Sequence, residues 1–113
     1  MAVFLGSPEA MQKYREMDEE MRKKNDKTGM EAWMEWGKKH GAAIVDWGSP
    51  LGKTKAVSKQ GIADVSNEMG AWTIVEAESH EAAAELFLNH PHFTIFPGDR
   101  VEVMECLPMP KME

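Results

Sequence analysis

Between Trp72 and Leu107 the hydrophobic period changes twice, and that change limits what the chain can fold into. Trp72 to Ala77 is rich in β-branched and aromatic residues and bounded by Gly70 and Ser79, which predicts a strand. Ser79 then supplies an N-cap hydroxyl, and Ala82, Ala83, Leu86 and Phe87 fall at helical spacing as a buried face. Pro91 marks where this long helix has ended, because a proline pushes the residue before it out of the helical region. Arg100 to Leu107 closes as a strand around Val101-Glu102-Val103, and Pro108 to Glu113 reads as a tail.

The first half repeats the theme. Ala2 to Leu5 is a short apolar run closed by Gly6, the mark of a buried first strand. Ser7 caps a helix, Pro8 fits its first turn and Glu9 suits the positive end of the dipole; Met11, Tyr14, Met17 and Met21 form its apolar stripe. A break is expected near Asn25, with a restart at Thr28, which makes a capping-box pattern with Glu31. Trp33, Met34 and Trp36 load the second segment, Lys38, Lys39 and His40 suit its negative end, and Gly41 suits a left-handed stop. Ala43 to Trp47 reads as a strand, followed by a turn-rich stretch from Gly48 to Gly52. Lys53 to Asn67 is either an irregular hairpin, pairing Ala56-Val57 with Ile62 to Val65 around Gly61, or a loop.

The order β, α, β, β, α, β over one domain spanning 1–113 predicts an α+β, ferredoxin-like split βαβ arrangement, a four-stranded antiparallel sheet with helices on one face. Such a sheet should alternate apolar and polar residues. Here Ala43, Val45 and Trp47 alternate with Ile44 and Asp46, and Trp72 and Ile74 with Thr73 and Val75, so both faces are apolar. The two helical segments cover only one of them. A symmetric partner chain is the economical cover for the other, and a homodimer is expected.

Composition narrows the partners. Across 113 residues the net charge is −6, with 13 basic against 19 acidic side chains, which leaves no electrostatic footprint for nucleic acid. The cluster Arg22, Lys23, Lys24 and Lys27 reads as a solvated helix end. The lone Cys106 cannot bridge internally, no charged start leads into an apolar run, and no apolar run approaches the ~20 residues of a membrane span. A soluble, cytoplasmic protein without a membrane partner is the expectation.

Glu76-Ala77 before the Ser79-capped helix, His90-Pro91, Gly98, and the ending Val101-Glu102-Val103 to Pro108-Met109-Pro110 resemble the YCII-related family over roughly residues 41 to 110. The resemblance implies a dimeric α+β barrel, in which two ferredoxin-like subunits pack sheet against sheet. It also implies relatives that isomerise or dehalogenate muconolactones, and a suspected His-Asp site in which an Asp-Pro pair follows the second helix. This chain carries His90-Pro91 at that place, and the Asp-Gly-Pro-Phe signature of one branch is absent near Lys59 to Ile62.

The candidate chemistry rests on few residues. His90 and His92 flank Pro91, where an imidazole serves either as a cationic cap on the preceding helix end or as a proton-transfer group at a cleft rim. Asp46, Glu76, Glu102 and Glu105 fall in expected strands; Asp46 or Glu102 would act as acid or base if desolvated between two sheets, and as a plain surface carboxylate otherwise. Trp47 and Trp72 belong either to core and interface or to a pocket for a flat organic ligand. The methionine stripe is a core face or an adaptable groove, and Cys106 is expected to be inert. A His-x-His pair lacks the third ligand a metal needs, and no cofactor motif is present; His40 and His80 receive no role. The leading expectation is a homodimer that binds or isomerises a small lactone-like or aromatic molecule through His90 or His92 paired with Asp46 or Glu102. The alternative is a non-catalytic dimeric ligand-binding or interaction module, for which the missing Asp-Pro and Asp-Gly-Pro-Phe are direct arguments.

Overall fold

The computed structural model describes residues 1–110. Strand β1 (Ala2–Leu5) leads into helices α1 (Pro8–Arg15) and α2 (Glu19–Lys39), then β2 (Ile44–Asp46), a ribbon of β3 (Thr54–Ser58) and β4 (Gly61–Val65), β5 (Met69–Val75), short helices α3 (His80–Glu85) and α4 (Pro91–Thr94), and β6 (Arg100–Val103). The architecture is α+β. Four strands form one antiparallel sheet in the order β2-β5-β1-β6, and β3 and β4 pair only with each other. No helix among the described residues is long and apolar enough to cross a membrane.

Local signals set several of these boundaries. The Ser7 hydroxyl accepts the Ala10 N–H at 3.2 Å with Pro8 in the first turn, and the Ser79 hydroxyl accepts the Ala82 N–H at 3.0 Å. The hairpin alternative holds for Lys53 to Asn67: a Lys59-Gln60 turn joins β3 to β4, and Gly61 follows at φ 110°, where a side chain would be strained.

Other expectations are corrected. The helical break lies at Glu16 to Asp18, and α2 runs unbroken through Asn25 and Thr28. Tertiary bonds hold that stretch: the Asn25 amide donates to the Ile95 carbonyl at 2.9 Å and to the Tyr14 hydroxyl at 3.3 Å, while the Tyr14 hydroxyl donates to the Asp26 carboxylate. Gly41 is not a left-handed stop; Gly41–Ala43 forms one 3-10 turn that delivers the chain straight into β2. The helix after Ser79 is one and a half turns long, not long, and Asn89 reverses it at φ 57°. Pro91 accordingly opens α4 at its first position instead of trailing a helix. β6 stops at Val103, so Cys106 lies beyond the strand, exposed, with the Met1 ammonium 3.4 Å from its Sγ. Of the tail, residues 108–110 are exposed and outside any element, and 111–113 lie outside the described residues.

Strand alternation divides the sheet into two unlike faces. Ala2 and Phe4 of β1 point toward the helices, where they meet Trp33 and Trp36 of α2, Leu86 and Phe87 after α3, and Ala71, Val75, Val101 and Val103 of the neighbouring strands. Val3 faces the other way, opposite Trp72 on one side and Glu102 on the other. The main core cluster therefore sits between the sheet and the helices, while Val3, 5% exposed, is buried on the outer face.

Two glycines let α2 approach its neighbours. A Cβ at Gly29 would stand 2.4 Å from the Phe96 ring, and one at Gly37 would stand 2.1 Å from the Trp47 ring. A helix-interior glycine costs about 1 kcal/mol relative to alanine, so each position gives up helix stability for an aromatic ring laid against the helix. In an exposed helix Gly→Ala would stabilise; here Gly29→Ala is expected to destabilise by about 1–3 kcal/mol through overpacking against Phe96, measured as a lowered urea midpoint with an unchanged slope.

Candidate functional site

The histidines lie at the centre of the core. His90 is 0% exposed, and its ring sits 4.5 Å from Trp33, 4.7 Å from Trp36, 5.1 Å from Phe4 and 5.9 Å from Phe87, centroid to centroid. The contacts with Trp33 and Trp36 are T-shaped, a favoured arrangement of aromatic pairs. Nδ1 accepts the His92 N–H at 3.0 Å, which makes His90 the N-cap of α4, and the His90 carbonyl accepts the Thr94 N–H and hydroxyl. With Nδ1 accepting, the ring proton belongs to Nε2, which has no hydrogen-bond acceptor among the described residues.

Charge is excluded from this position. Burial lowers the His90 pKa from the usual 6.5 to about 3, and the imidazoles of His92 and His40 push the same way. The cationic cap expected from sequence is thus replaced by a neutral acceptor, and it caps the helix that follows Pro91, not the one before it. His92 donates from Nε2 to the Leu5 carbonyl at 2.8 Å and lies flat on Gly98, where a Cβ would come within 2.2 Å of its ring. Burial lowers its pKa too, opposed by backbone acceptors at Leu5 and Arg100 and by the charge of Asp99.

The expected carboxylates stand apart from these rings. Glu102 is exposed on the outer face of the sheet, opposite Val3, and is bound by the Arg100 guanidinium at 2.6 Å. Asp46 is exposed at the end of β2, where its carboxylate accepts the Gly48 N–H at 2.9 Å and its carbonyl accepts the Thr73 hydroxyl at 2.8 Å. The sheet lies between the buried histidines and Glu102, so one chain does not bring either His90 or His92 together with Asp46 or Glu102. Glu76 follows β5 and Glu105 follows β6, both exposed.

The tryptophans are divided in the same way. Trp47 lies on Gly37 of α2, on the helix side, whereas Trp72 lies on the outer face beside Val3. They do not line one pocket. Gly48, which follows Trp47 at φ 70°, lies against the Trp72 backbone, where a Cβ would collide with the carbonyl. Sequence reasoning missed a His–carboxylate contact that does form, between His80 Nδ1 and Glu105 at 3.4 Å, with Nε2 2.8 Å from the Val103 carbonyl on edge strand β6. Its partners lie more than 20 positions away, so no local spacing announces it.

Two open clefts flank the core. One, of about 360 Å³, runs along β6, with Phe87, Leu88 and Phe93 facing Val101 and Val103 and with Arg100 at its end. The other, of about 400 Å³, is lined by Met30, Trp33, Met34, Gly37, Lys38 and Trp47. Among the described residues no group of three or more His, Cys, Asp or Glu side chains is arranged to hold a metal ion. Comparison with known proteins returned no matching family model, no matching curated protein and no matching solved structure.

The buried His90 has a measurable consequence for stability. Its folded-state pKa lies below the unfolded value of 6.5, so its contribution is intact above pH 6.5 and is lost as pH falls toward about 3. Between pH 6.5 and 4.5 the wild type should lose about 2 kcal/mol through this group, the slope approaching ~1.4 kcal/mol per pH unit once the unfolded imidazole is fully protonated. His90→Asn keeps a capping acceptor and cannot titrate, so urea melts across that range should show a shallower acid slope in the variant; equal slopes would remove His90 as the acid-sensitive group.

Proposed function

We propose that the chain is a homodimeric, non-catalytic ligand-binding module, with a ferredoxin-like subunit that pairs with a second copy across the outer face of its sheet to make a dimeric α+β barrel of the YCII-related kind. The observation that carries this reading is the composition of that outer face. Val3, Leu5, Trp72 and Ile74 stand together on it, Val3 buried between its neighbours and the other three half-buried in one chain, and both helices that contribute to the core lie on the opposite side. A sheet face with that much aliphatic and aromatic surface is normally covered, and two copies present it in self-complementary form.

The order β6-β1-β5-β2 supports the ferredoxin-like reading, with the β3–β4 ribbon as an insert between the second and third sheet strands. The ribbon supports the dimer as well. An isolated two-stranded hairpin is marginal in water, yet this one opposes Val57 and Ile62 at 77% and 72% exposure, and every residue of β4 is exposed. A second copy provides the cover that the ribbon lacks.

The non-catalytic reading is supported by where the polar groups are. Both candidate histidines are drawn into the packed core and into backbone hydrogen bonds, and the nearest expected carboxylates are committed to Arg100 and Gly48. Proton transfer at neutral pH needs a donor or acceptor open to substrate, and His90 at 0% exposure is neither.

Light scattering at micromolar concentration should return twice the monomer mass. The double variant Trp72→Glu, Ile74→Glu buries charge in the proposed interface and is expected to return the monomer mass with the far-UV spectrum unchanged. A wild-type monomer under these conditions would overturn the reading.

A further inference from the structure

The geometry points to a site for a flat aromatic anion, such as an aryl carboxylate, in the cleft between α2 and Trp47. The inference rests on the ligand-binding role proposed above and names its place and chemistry; it does not require the dimer. Trp33 is shared between the core and this cleft, Met30 and Met34 rise one turn apart on α2, and Trp47 forms the opposing wall. At about 400 Å³ the space falls within the range of small-molecule sites.

The wall is built at a cost. A Cβ at Gly37 would collide with the Trp47 ring, so the missing side chain is what lets that indole lie against the helix. A helix position therefore forgoes a side chain beside an indole that remains 58% exposed. Core packing alone does not account for that arrangement, because an indole spent on core stability would be covered. Met30 and Met34 are also more than half exposed, and thioethers beside indoles make an adaptable, polarisable lining suited to a planar π-system.

Charge decides the polar end of the ligand. Lys38 stands at the lip, and its ion pair with Glu35 is long, at 3.9 Å, with both side chains about three-quarters exposed. Such a pair contributes little and gives way readily to an anion held in place by the apolar walls. The cleft thus offers two aromatic walls, a methionine side and one cation, which matches a ligand that is flat and apolar with a single carboxylate or sulfonate.

Naphthoate is a direct probe. Isothermal titration calorimetry on the full chain should give saturable one-site binding per chain, with the indole N–H resonances of Trp33 and Trp47 shifting while that of Trp72 stays in place. Trp47→Ala and Gly37→Ala should each weaken binding about tenfold, the second by displacing an indole it does not itself remove. Lys38→Glu, on the solvent side of α2, should fold normally and weaken binding about threefold. No saturable binding to the wild type, or affinity unchanged by Trp47→Ala and Lys38→Glu, would overturn the site. The monomeric double variant separates the two readings: retained binding in it supports the site independently of the dimer, and a wild-type dimer that binds no naphthoate sinks the site while leaving the dimer standing.

Discussion

The contact on which the rest of the structure depends is the edge-on and tilted packing of Phe4, Trp33, Trp36 and Phe87 around the neutral ring of His90. The rings come from four separate parts of the chain: Phe4 from the central strand β1, the two indoles from α2, Phe87 from the turn after α3, and His90 from the cap of α4. Bringing them together fixes the helices on the sheet, and the Trp36 indole adds a 2.7 Å bond to the Leu86 carbonyl that ties α2 to the turn. A buried polar N–H without an acceptor costs about 1–3 kcal/mol, so His90 is not the most stabilising residue for its site. Its value is positional. Nδ1 caps α4 at a place where phenylalanine would fill the space and leave the His92 N–H orphaned.

Much of the fold was legible because its determinants are local. Ser7-Pro8 and Ser79 mark helix starts whose hydroxyls make the expected bonds, and the four sheet strands fall within or close to their expected runs. The misplaced features are those in which a local pattern lost to distant contacts. Thr28 and Glu31 match a capping box, but Asn25 is held helical by Ile95 and Gly29 by Phe96, both some seventy positions away. Pro91 fits the end of one helix and the first turn of another equally well, and only the reversal at Asn89 selects the second.

The candidate site was less legible for a related reason. Sequence ranks histidines and carboxylates by type, whereas their availability depends on which side of the sheet they reach. Glu102 and Val101 are neighbours in the chain and occupy opposite faces; His92 and His80 are both ordinary histidines, and one is pressed onto Gly98 while the other meets Glu105 in the open. Trp47 and Trp72 are alike as candidate ligand walls in sequence, yet one lies on Gly37 of α2 and the other beside Val3 on the outer face.

That division gives the molecule two surfaces that can act separately. The outer face of the sheet holds Val3, Trp72 and Ile74, while the α2 cleft holds Met30, Met34 and Trp47, and the core stands between them. The cleft meets the core through Trp33. Trp33 lines the cleft on one side and lies 4.5 Å from His90 and 4.9 Å from Phe4 on the other, so a ligand against Trp33 presses on the same ring cluster that sets β1 in the sheet. Because interiors are close-packed and deform little, occupancy of the cleft would be felt as added resistance to opening of the core, and therefore as stability, before it could be felt as a change of shape.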